Sequence, residues 1–153
     1  MTSNPEVRIE VVAEGNLAVA AELALKLWPG STYAEEYDEA LKALKAHDRQ
    51  SLLALVAEQF AGFIQLSIRT DYVEGASTSP VLYLEGIYVE PAWRRQGIAR
   101  RLLRSAEAWG LERGCVEMAS DAELQNTPGI AFHMAVGFSE ANRVVCFTRP
   151  IIW

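Results

Sequence analysis

The chain has 153 residues, half of them apolar, and carries a formal net charge of −6. This length is typical of one compact domain, and the apolar content excludes a disordered chain. The acidic balance argues against nucleic-acid binding, because there is no basic surplus to neutralise phosphates. No segment has the uninterrupted apolar length of a membrane-spanning helix, so we expect one cytoplasmic domain over residues 1–153 with no membrane partner.

Hydrophobic periodicity and turn residues predict strands alternating with helices. In chain order these are a strand at 8–12, helices at 17–27 and 33–46, strands at 52–58, 60–70 and 81–89, a helix from 98, a strand at 116–120, a helix at 129–136 and a last strand at 144–148. Strands 52–58 and 60–70 are too close for a helix between them, so they should pair antiparallel. The strand–helix–strand unit that begins at residue 81 indicates a mixed α/β sheet with one parallel pair.

Segment 94–99 (RRQGIA) lies between the long apolar strand at 81–89 and an amphipathic helix. The N-terminus of a helix presents unpaired N–H groups and a partial positive charge, which favour a bound pyrophosphate. Gly97 would let the backbone approach that anion closely. The alternative is a surface turn followed by a basic, solvated helix face.

Two carboxylates stand out around the predicted parallel pair. Glu85 and Gly86 interrupt an apolar strand, which a β-bulge would explain, although a solvent-facing Glu on an edge strand is the alternative. Asp121 directly follows the next strand, where α/β sheets commonly place ligand-binding groups, although it could instead be a helix cap or turn residue. A carboxylate can hold an ammonium group and then accept its proton.

The pattern Arg94-x-x-Gly97-x-Ala99 resembles the acetyl-coenzyme A signature of the GCN5-related N-acetyltransferases. Five further segments resemble, in the same order, blocks of the aminoglycoside 6′-N-acetyltransferases in that superfamily. They are residues 27–30 (LWPG), 71–75 (DYVEG), 84–87 (LEGI), 118–121 (MASD) and 136–138 (VGF). The resemblance implies an α/β mixed sheet with helices on both faces and a splayed central parallel strand pair. It also implies direct acetyl transfer from acetyl-coenzyme A to the 6′-amine of an aminoglycoside in a ternary complex.

The resemblance also implies roles for individual residues. Asp121 would be the general base, assisted by Glu85. The aminoglycoside would contact Trp28, Tyr72, Glu85 and Asp121, and the cofactor would contact Ile87, Val89, Arg94, Arg95, Gln96, Gly97, Ile98, Ala99 and Asn126. Trp28 and Tyr72 could instead be ordinary packing residues, and Asn126 could simply begin a helix.

His133 departs from the superfamily pattern, in which a tyrosine stands four residues before the Gly-Phe pair and protonates the departing thiolate. An imidazolium could perform the same step near neutral pH. Alternatively, His133 is a packed helix residue and water protonates the thiolate. Neither His133 nor His47 has a cluster of metal ligands around it in the sequence, so we expect no metal.

Three further features complete the interpretation. Glu35, Glu36, Asp38 and Glu39 cluster near the start of a predicted helix, where they either complement the helix dipole or attract a cationic substrate. Cys115 and Cys146 lack metal or redox spacing and are interpreted as packing residues. The apolar residues at 144–153, which end in Trp153, could close onto the sheet of their own chain or onto a second subunit, and by resemblance we expect a homodimer.

Two other functions fit the same sequence. The enzyme could acetylate a different amine, such as a polyamine or a protein or peptide amine, from the same cofactor site. Alternatively, the chain could be a non-catalytic module that binds coenzyme A or a cationic drug.

Overall fold

A computed structural model describes residues 6–152, which form five strands and four α-helices. The strands are β1 (Val7–Val11), β2 (Arg49–Val56), β3 (Gln59–Arg69), β4 (Val81–Val89) and β5 (Met118–Ser120). The helices are α1 (Leu17–Leu27), α2 (Tyr33–Lys45), α3 (Ile98–Glu112) and α4 (Thr127–Ala135), with short 3₁₀ turns at Glu14–Asn16 and Pro91–Trp93. The chain divides into two compact units, Met1–Asp121 and Ala122–Trp153. Trp153, the end of the predicted apolar segment, lies outside the described residues.

The first unit is built on one sheet in the order β1-β2-β3-β4-β5. Neighbouring strands from β1 to β4 pair antiparallel, whereas β4 and β5 pair in parallel. Helix α3 connects the parallel pair, as parallel strands require a long crossover. The predicted mixed α/β sheet is therefore confirmed.

Side chains along each strand point alternately to the two faces of this sheet. Helices of the first unit pack on both faces. On one face, Phe63 of β3 packs in a buried cluster with residues of α1 and α2. On the other face, the neighbouring Gly62 approaches Leu102 and Ile98 of α3, whose side-chain atoms lie 3.3 and 3.4 Å from the position of an added Cβ. In the part of the chain from residue 6 to 152, no helix has both the length and the apolar character needed to cross a bilayer.

Three of the four acidic residues near the start of α2, Glu35, Asp38 and Glu39, make polar contacts within the fold. Thr32 caps the helix by accepting a hydrogen bond from the Glu35 N–H at 3.2 Å, and the Glu35 carboxylate accepts one from the Thr32 N–H at 2.9 Å. Ser31 also donates to this carboxylate, and these hydrogen bonds lower the pKa of Glu35. Asp38 and Glu39 pair with Lys42. These contacts favour the helix-capping interpretation of the cluster.

The predicted last strand at 144–148 is wrong. Residues 138–152 have no regular secondary structure, and Val144, Val145 and Phe147 are exposed. Their composition suits a strand, but a strand forms only where its backbone pairs with another, and no described strand pairs with this segment. Cys146 is likewise exposed, which contradicts its interpretation as a packing residue, whereas Cys115 is buried as predicted.

The loop between β3 and β4 is anchored at two points. Val73 is buried against Val81 and Tyr83 of β4. Further along, the Glu117 carboxylate accepts hydrogen bonds from the Ser77 N–H at 3.0 Å, from the Ser77 hydroxyl at 3.2 Å and from the Thr78 hydroxyl. Glu117 directly precedes β5, so the loop is fixed to the strand that carries Asp121 at its end.

Replacing Glu117 with Ala should release this loop, because three hydrogen bonds end on one carboxylate oxygen. We expect faster hydrogen exchange at the Ser77 amide, measured by mass spectrometry. The hydrogen bonds from Thr78 and Ser77 lower the pKa of Glu117. In the native chain the anchor should therefore be complete at pH values above the ordinary glutamate pKa, and it should be lost as the pH falls through the lowered pKa. Glu112→Ala, at an exposed carboxylate that ends α3, is the control. Equal exchange in both variants would contradict the anchor.

Candidate active site

A β-bulge at Glu85 interrupts the pairing of β4 with β3. Gln65 pairs with Gly86 and Leu66 pairs with Leu84, so Glu85 has no opposite residue on β3. Strand β4 lies between β3 and β5, which excludes the alternative of an edge strand. The predicted bulge is confirmed, and it gives Glu85 a backbone position that ordinary pleating would not provide.

The parallel strands separate at the same level. Their pairing ends where Leu84 meets Ser120, and the Ser120 hydroxyl donates to the Leu84 carbonyl at 3.1 Å. The Glu90 N–H donates to the carbonyl of Ala61, near the start of β3, at 2.8 Å. Because backbone direction alternates along a strand, the N–H and C=O groups of Ile87 and Val89 face away from β3, toward the side where β5 has ended. This opening is the predicted splayed strand pair.

Glu85 carries the first carboxylate of the site. Its Oε1 accepts hydrogen bonds from the Ser67 hydroxyl at 2.6 Å and from Arg69 Nη2 at 2.8 Å, both on β3. About a third of the Glu85 side chain is exposed. Among residues 6–152, no hydrogen bond is seen on the other oxygen, Oε2. The carboxylate is therefore held through one oxygen, and its second oxygen remains available for a further hydrogen bond.

Asp121 carries the second carboxylate and follows directly after β5. Its Oδ2 accepts a hydrogen bond from the hydroxyl of Tyr83, a buried residue on β4. Burial and this hydrogen bond raise the pKa of Tyr83 well above its ordinary value, so the phenol stays protonated and donates. Asn126, not Asp121, caps the following helix. Asp121 is thus held toward β4 rather than used as a cap.

Trp28 ends α1 and packs directly on the bulged strand. A Cβ added at Gly86 would lie 2.5 Å from its ring, so only glycine leaves room for the indole there. Gly86 therefore has two roles. It contributes to the bulge, and it allows Trp28 to pack directly on β4 next to Glu85.

Tyr72 is the most exposed aromatic side chain among the predicted site residues, with 84% of its surface accessible. Its hydroxyl donates a hydrogen bond to Glu74 in the same anchored loop, and this bond raises the pKa of Tyr72. The exposure excludes the packing alternative for Tyr72 and leaves an aromatic face open to a ligand.

The turn before α3 contains two residues with left-handed backbone. Gly97 is its N-cap with φ 81° and ψ 8°, and Arg95 also has a positive φ of 62°. No atom lies within 4 Å of the position of an added Cβ at Gly97, so the turn is open on that side. The first N–H groups of α3 follow at once, where a phosphate would find donors.

Several residues of this turn have structural tasks. Arg94 Nε donates to the Val89 carbonyl at 2.8 Å, and the Gln96 amide donates to the Ala92 carbonyl at 3.3 Å. The Ile98 side chain is buried in the core. Arg94, Gln96 and Ile98 therefore shape the turn with their side chains, and they would offer a cofactor mainly backbone groups.

In the second unit, α4 carries the remaining predicted residues. The Asn126 Oδ1 accepts a hydrogen bond from the Gly129 N–H at 3.1 Å, which is the helix-start role. His133 is half-buried, and its Nδ1 lies 2.6 Å from the Gly129 carbonyl, so this nitrogen carries a proton and donates. The ring also packs edge-on against Phe138 at 5.2 Å. These contacts favour the packed-helix interpretation of His133.

Sequence reasoning missed three residues of the site, Ser67, Arg69 and Tyr83. Ser67 and Arg69 are polar residues spaced by two near the end of β3, and this spacing indicates that they share a face. Tyr83 gave no such signal, because it lies buried among apolar neighbours. Within the described residues, no three His, Cys, Asp or Glu side chains are grouped as metal ligands.

Comparison with known proteins identifies relatives along most of the chain. An aminoglycoside N(6′)-acetyltransferase type 1 of Acinetobacter haemolyticus is 42% identical over 143 residues, covering 94% of this chain and 98% of the relative. The same enzyme type of Stenotrophomonas maltophilia is 37% identical over 152 residues, covering 99% and 97%.

A solved structure, AAC(6′)-Iy in complex with CoA, matches with a TM-score of 0.93 and 34% identity, covering 99% of both chains. The structure of AAC(6′)-Iy with the bisubstrate analogue CoA-S-monomethyl-acetylneamine has a TM-score of 0.91 and 35% identity, covering 95% of this chain and 99% of that one. The profile of the acetyltransferase (GNAT) family matches residues 17–138. From the splayed strand pair, the turn at 94–99 and these relatives, we conclude that the chain belongs to the acetyltransferase (GNAT) family.

Proposed function

We propose that the protein transfers an acetyl group from acetyl-coenzyme A to the 6′-amine of an aminoglycoside. The observation that carries this proposal is the position of two carboxylates, Glu85 and Asp121, at the level where the parallel strands separate. A cationic amine bound there would lie beside the opening in which a thioester can fit. The relatives named as aminoglycoside N(6′)-acetyltransferases support the same substrate.

The proposed cofactor site uses mainly backbone groups. The turn formed by Arg94, Arg95, Gln96, Gly97, Ile98 and Ala99 would bind the pyrophosphate through N–H groups at the start of α3. The outward-facing N–H and C=O groups of Ile87 and the N–H of Val89 would bind the pantetheine arm and polarise the thioester carbonyl, while the Val89 carbonyl is already bonded to Arg94. The open space at Gly97 supports this assignment.

The proposed acceptor site uses side chains. Trp28 and Tyr72 would flank the sugar ring, and Glu85 and Asp121 would hold the ammonium group. Asp121 would remove the proton, the amine nitrogen would attack the thioester carbon, and the carbon–sulfur bond would break in one ternary complex. The departing thiolate would take a proton from water, because the contacts of His133 favour its interpretation as a packed helix residue.

The assay that tests this proposal measures thiol release from acetyl-coenzyme A with tobramycin or kanamycin, against spermidine and a peptide amine. Mass spectrometry of the products locates the acetyl group. Acetylation at the 6′ position supports the proposal. Acetylation of spermidine or peptide alone would assign the same chemistry to a different amine, and cofactor binding without product would indicate a non-catalytic module.

Replacing Asp121 with Asn should lower kcat by about 10²- to 10⁴-fold, because the amide cannot accept the proton. The measurement is steady-state kinetics at saturating antibiotic. Glu58→Gln, at a carboxylate whose side chain is 79% exposed in the β2–β3 turn, is the control and should keep native turnover. Unchanged kcat in Asp121→Asn would refute the base assignment, and a raised KM alone would make Asp121 a binding residue.

Replacing Gly97 with Ala should weaken acetyl-coenzyme A binding about tenfold. A side chain at a positive φ costs roughly 1–2 kcal/mol, so the turn would shift and move its N–H groups. The measurement is calorimetric affinity for acetyl-coenzyme A. Gly15→Ala is the matched control, because its Cβ also meets no atom within 4 Å and its φ is not positive. Equal affinities in the two variants would contradict the phosphate-turn assignment.

The proposal includes a homodimer. The C-terminal segment exposes apolar side chains that a second copy would cover, namely Val144, Val145, Phe147, Ile151 and Ile152. Phe147→Asp should therefore shift the mass in sedimentation toward the monomer, whereas Leu111→Asp, at an exposed side chain of α3, should not. A native chain that is monomeric at every concentration would refute the dimer.

We infer a cytoplasmic, single-domain enzyme without a metal, a nucleic-acid partner or a membrane partner. Acetylation of an aminoglycoside amine removes a positive charge that the drug needs for binding, so expression should protect a susceptible host. Unchanged susceptibility together with full activity in vitro would indicate another cellular substrate.

A further inference from the structure

The positively charged side chain of Arg69 lies next to the two proposed acids. Arg69, near the end of β3, donates from Nη2 to Glu85 Oε1 at 2.8 Å. The Arg69 side chain is 41% exposed, so it remains in contact with solvent at the mouth of the site. Glu85 therefore does not meet a ligand as an isolated charge.

The Arg69 guanidinium is also linked to Asp121, because both groups contact Tyr83. Its central carbon lies 3.3 Å from the ring centroid of Tyr83, and the Tyr83 hydroxyl donates to Asp121. The charges of Asp121, Arg69 and Glu85 all act on the Tyr83 hydroxyl, which indicates that the four groups form one electrostatic cluster. Arg69 touches one acid directly and the other through one aromatic ring.

The charge of this cluster matters because the amine must change its charge during the reaction. Two ionised carboxylates contribute −2 and Arg69 contributes +1, so the cluster has a formal charge of −1. An amine arrives as an ammonium ion, which negative charge attracts, but it attacks only after losing its proton. A cluster of −2 would bind the ammonium more tightly and hold its proton more strongly.

We propose that Arg69 is a positioning residue that partly neutralises the acid pair, so that the bound amine can lose its proton. The inference deepens the proposed function and rests on it. The positive charge of Arg69 lowers the affinity of the site for the cationic substrate and speeds deprotonation of the bound amine. Ser67, which donates to the same Glu85 oxygen at 2.6 Å, keeps this carboxylate oriented toward Arg69.

Replacing Arg69 with Gln should move binding and turnover in opposite senses. We expect the dissociation constant for tobramycin, measured by calorimetry without acetyl-coenzyme A, to fall about three- to tenfold. We expect kcat to fall about tenfold at neutral pH, because the bound ammonium keeps its proton. Arg69→Lys keeps the charge and should restore both values toward native.

Arg8→Gln is the matched control, because it removes one positive charge at the opposite edge of the sheet. Arg8 lies on β1, where it pairs with Glu10 at 2.9 Å and with Glu58 at 3.3 Å. Affinity and kcat should stay native in this variant. If Arg8→Gln tightened tobramycin binding as much as Arg69→Gln, the effect would be one of overall charge and the inference would be wrong.

A purely structural role of Arg69 predicts a different result. Glu85 would lose its orientation, so the dissociation constant would rise while kcat fell, and that outcome overturns the inference. If Arg69→Gln does not fold, the test rests on Arg69→Lys. A native dissociation constant and a native kcat in this variant support the inference, whereas a raised dissociation constant with a lowered kcat overturns it. The dissociation constant of the Arg69 variants is measured without turnover, whereas Asp121→Asn tests the general base through kcat. A failure of the Arg69 inference can therefore be distinguished from a failure of the base assignment.

Discussion

The site depends on the point where the parallel pair of strands stops pairing. Beyond Leu84 and Ser120, strand β4 continues to Val89 without a partner on the β5 side among the described residues. Backbone groups that a complete sheet would satisfy therefore face an opening, although Arg94 already bonds to the Val89 carbonyl. An unpaired buried backbone group is costly, so such an opening is stable only where a ligand or solvent reaches it. The bulge at Glu85 sets the level at which this opening begins.

The two carboxylates are positioned by this same separation. Glu85 is displaced by the bulge toward Arg69, and Asp121 follows the last paired residue of β5 and bonds to Tyr83. Both contacts run between neighbouring strands, so the register of the sheet controls the distance between the acids. A slip of one residue would turn these side chains to opposite faces. The geometry of the acid pair is thus a property of the sheet rather than of any loop.

Sequence reasoning succeeded where a local signal existed. Gly97 between a strand and an amphipathic helix indicated the turn, and Glu85-Gly86 in an apolar strand indicated the bulge, because each breaks a regular pattern at one place. The Arg69 and Tyr83 contacts were not predictable in the same way, since they depend on cross-strand register. The strand predicted at 144–148 failed for a related reason: β-propensity describes a residue, whereas a strand needs a neighbour.

The position of Tyr72 has a consequence for how such an enzyme could change. Because its ring is almost entirely in solvent, Tyr72 contributes little to the free energy of folding, although Val73 beside it anchors the loop in the core. Substitutions at exposed positions usually alter stability by less than about 0.5 kcal/mol. Selection can therefore exchange this side chain for another while the anchored loop keeps its course. Under the proposed role of Tyr72 in the acceptor site, acceptor preference can change at this position while the fold keeps its stability.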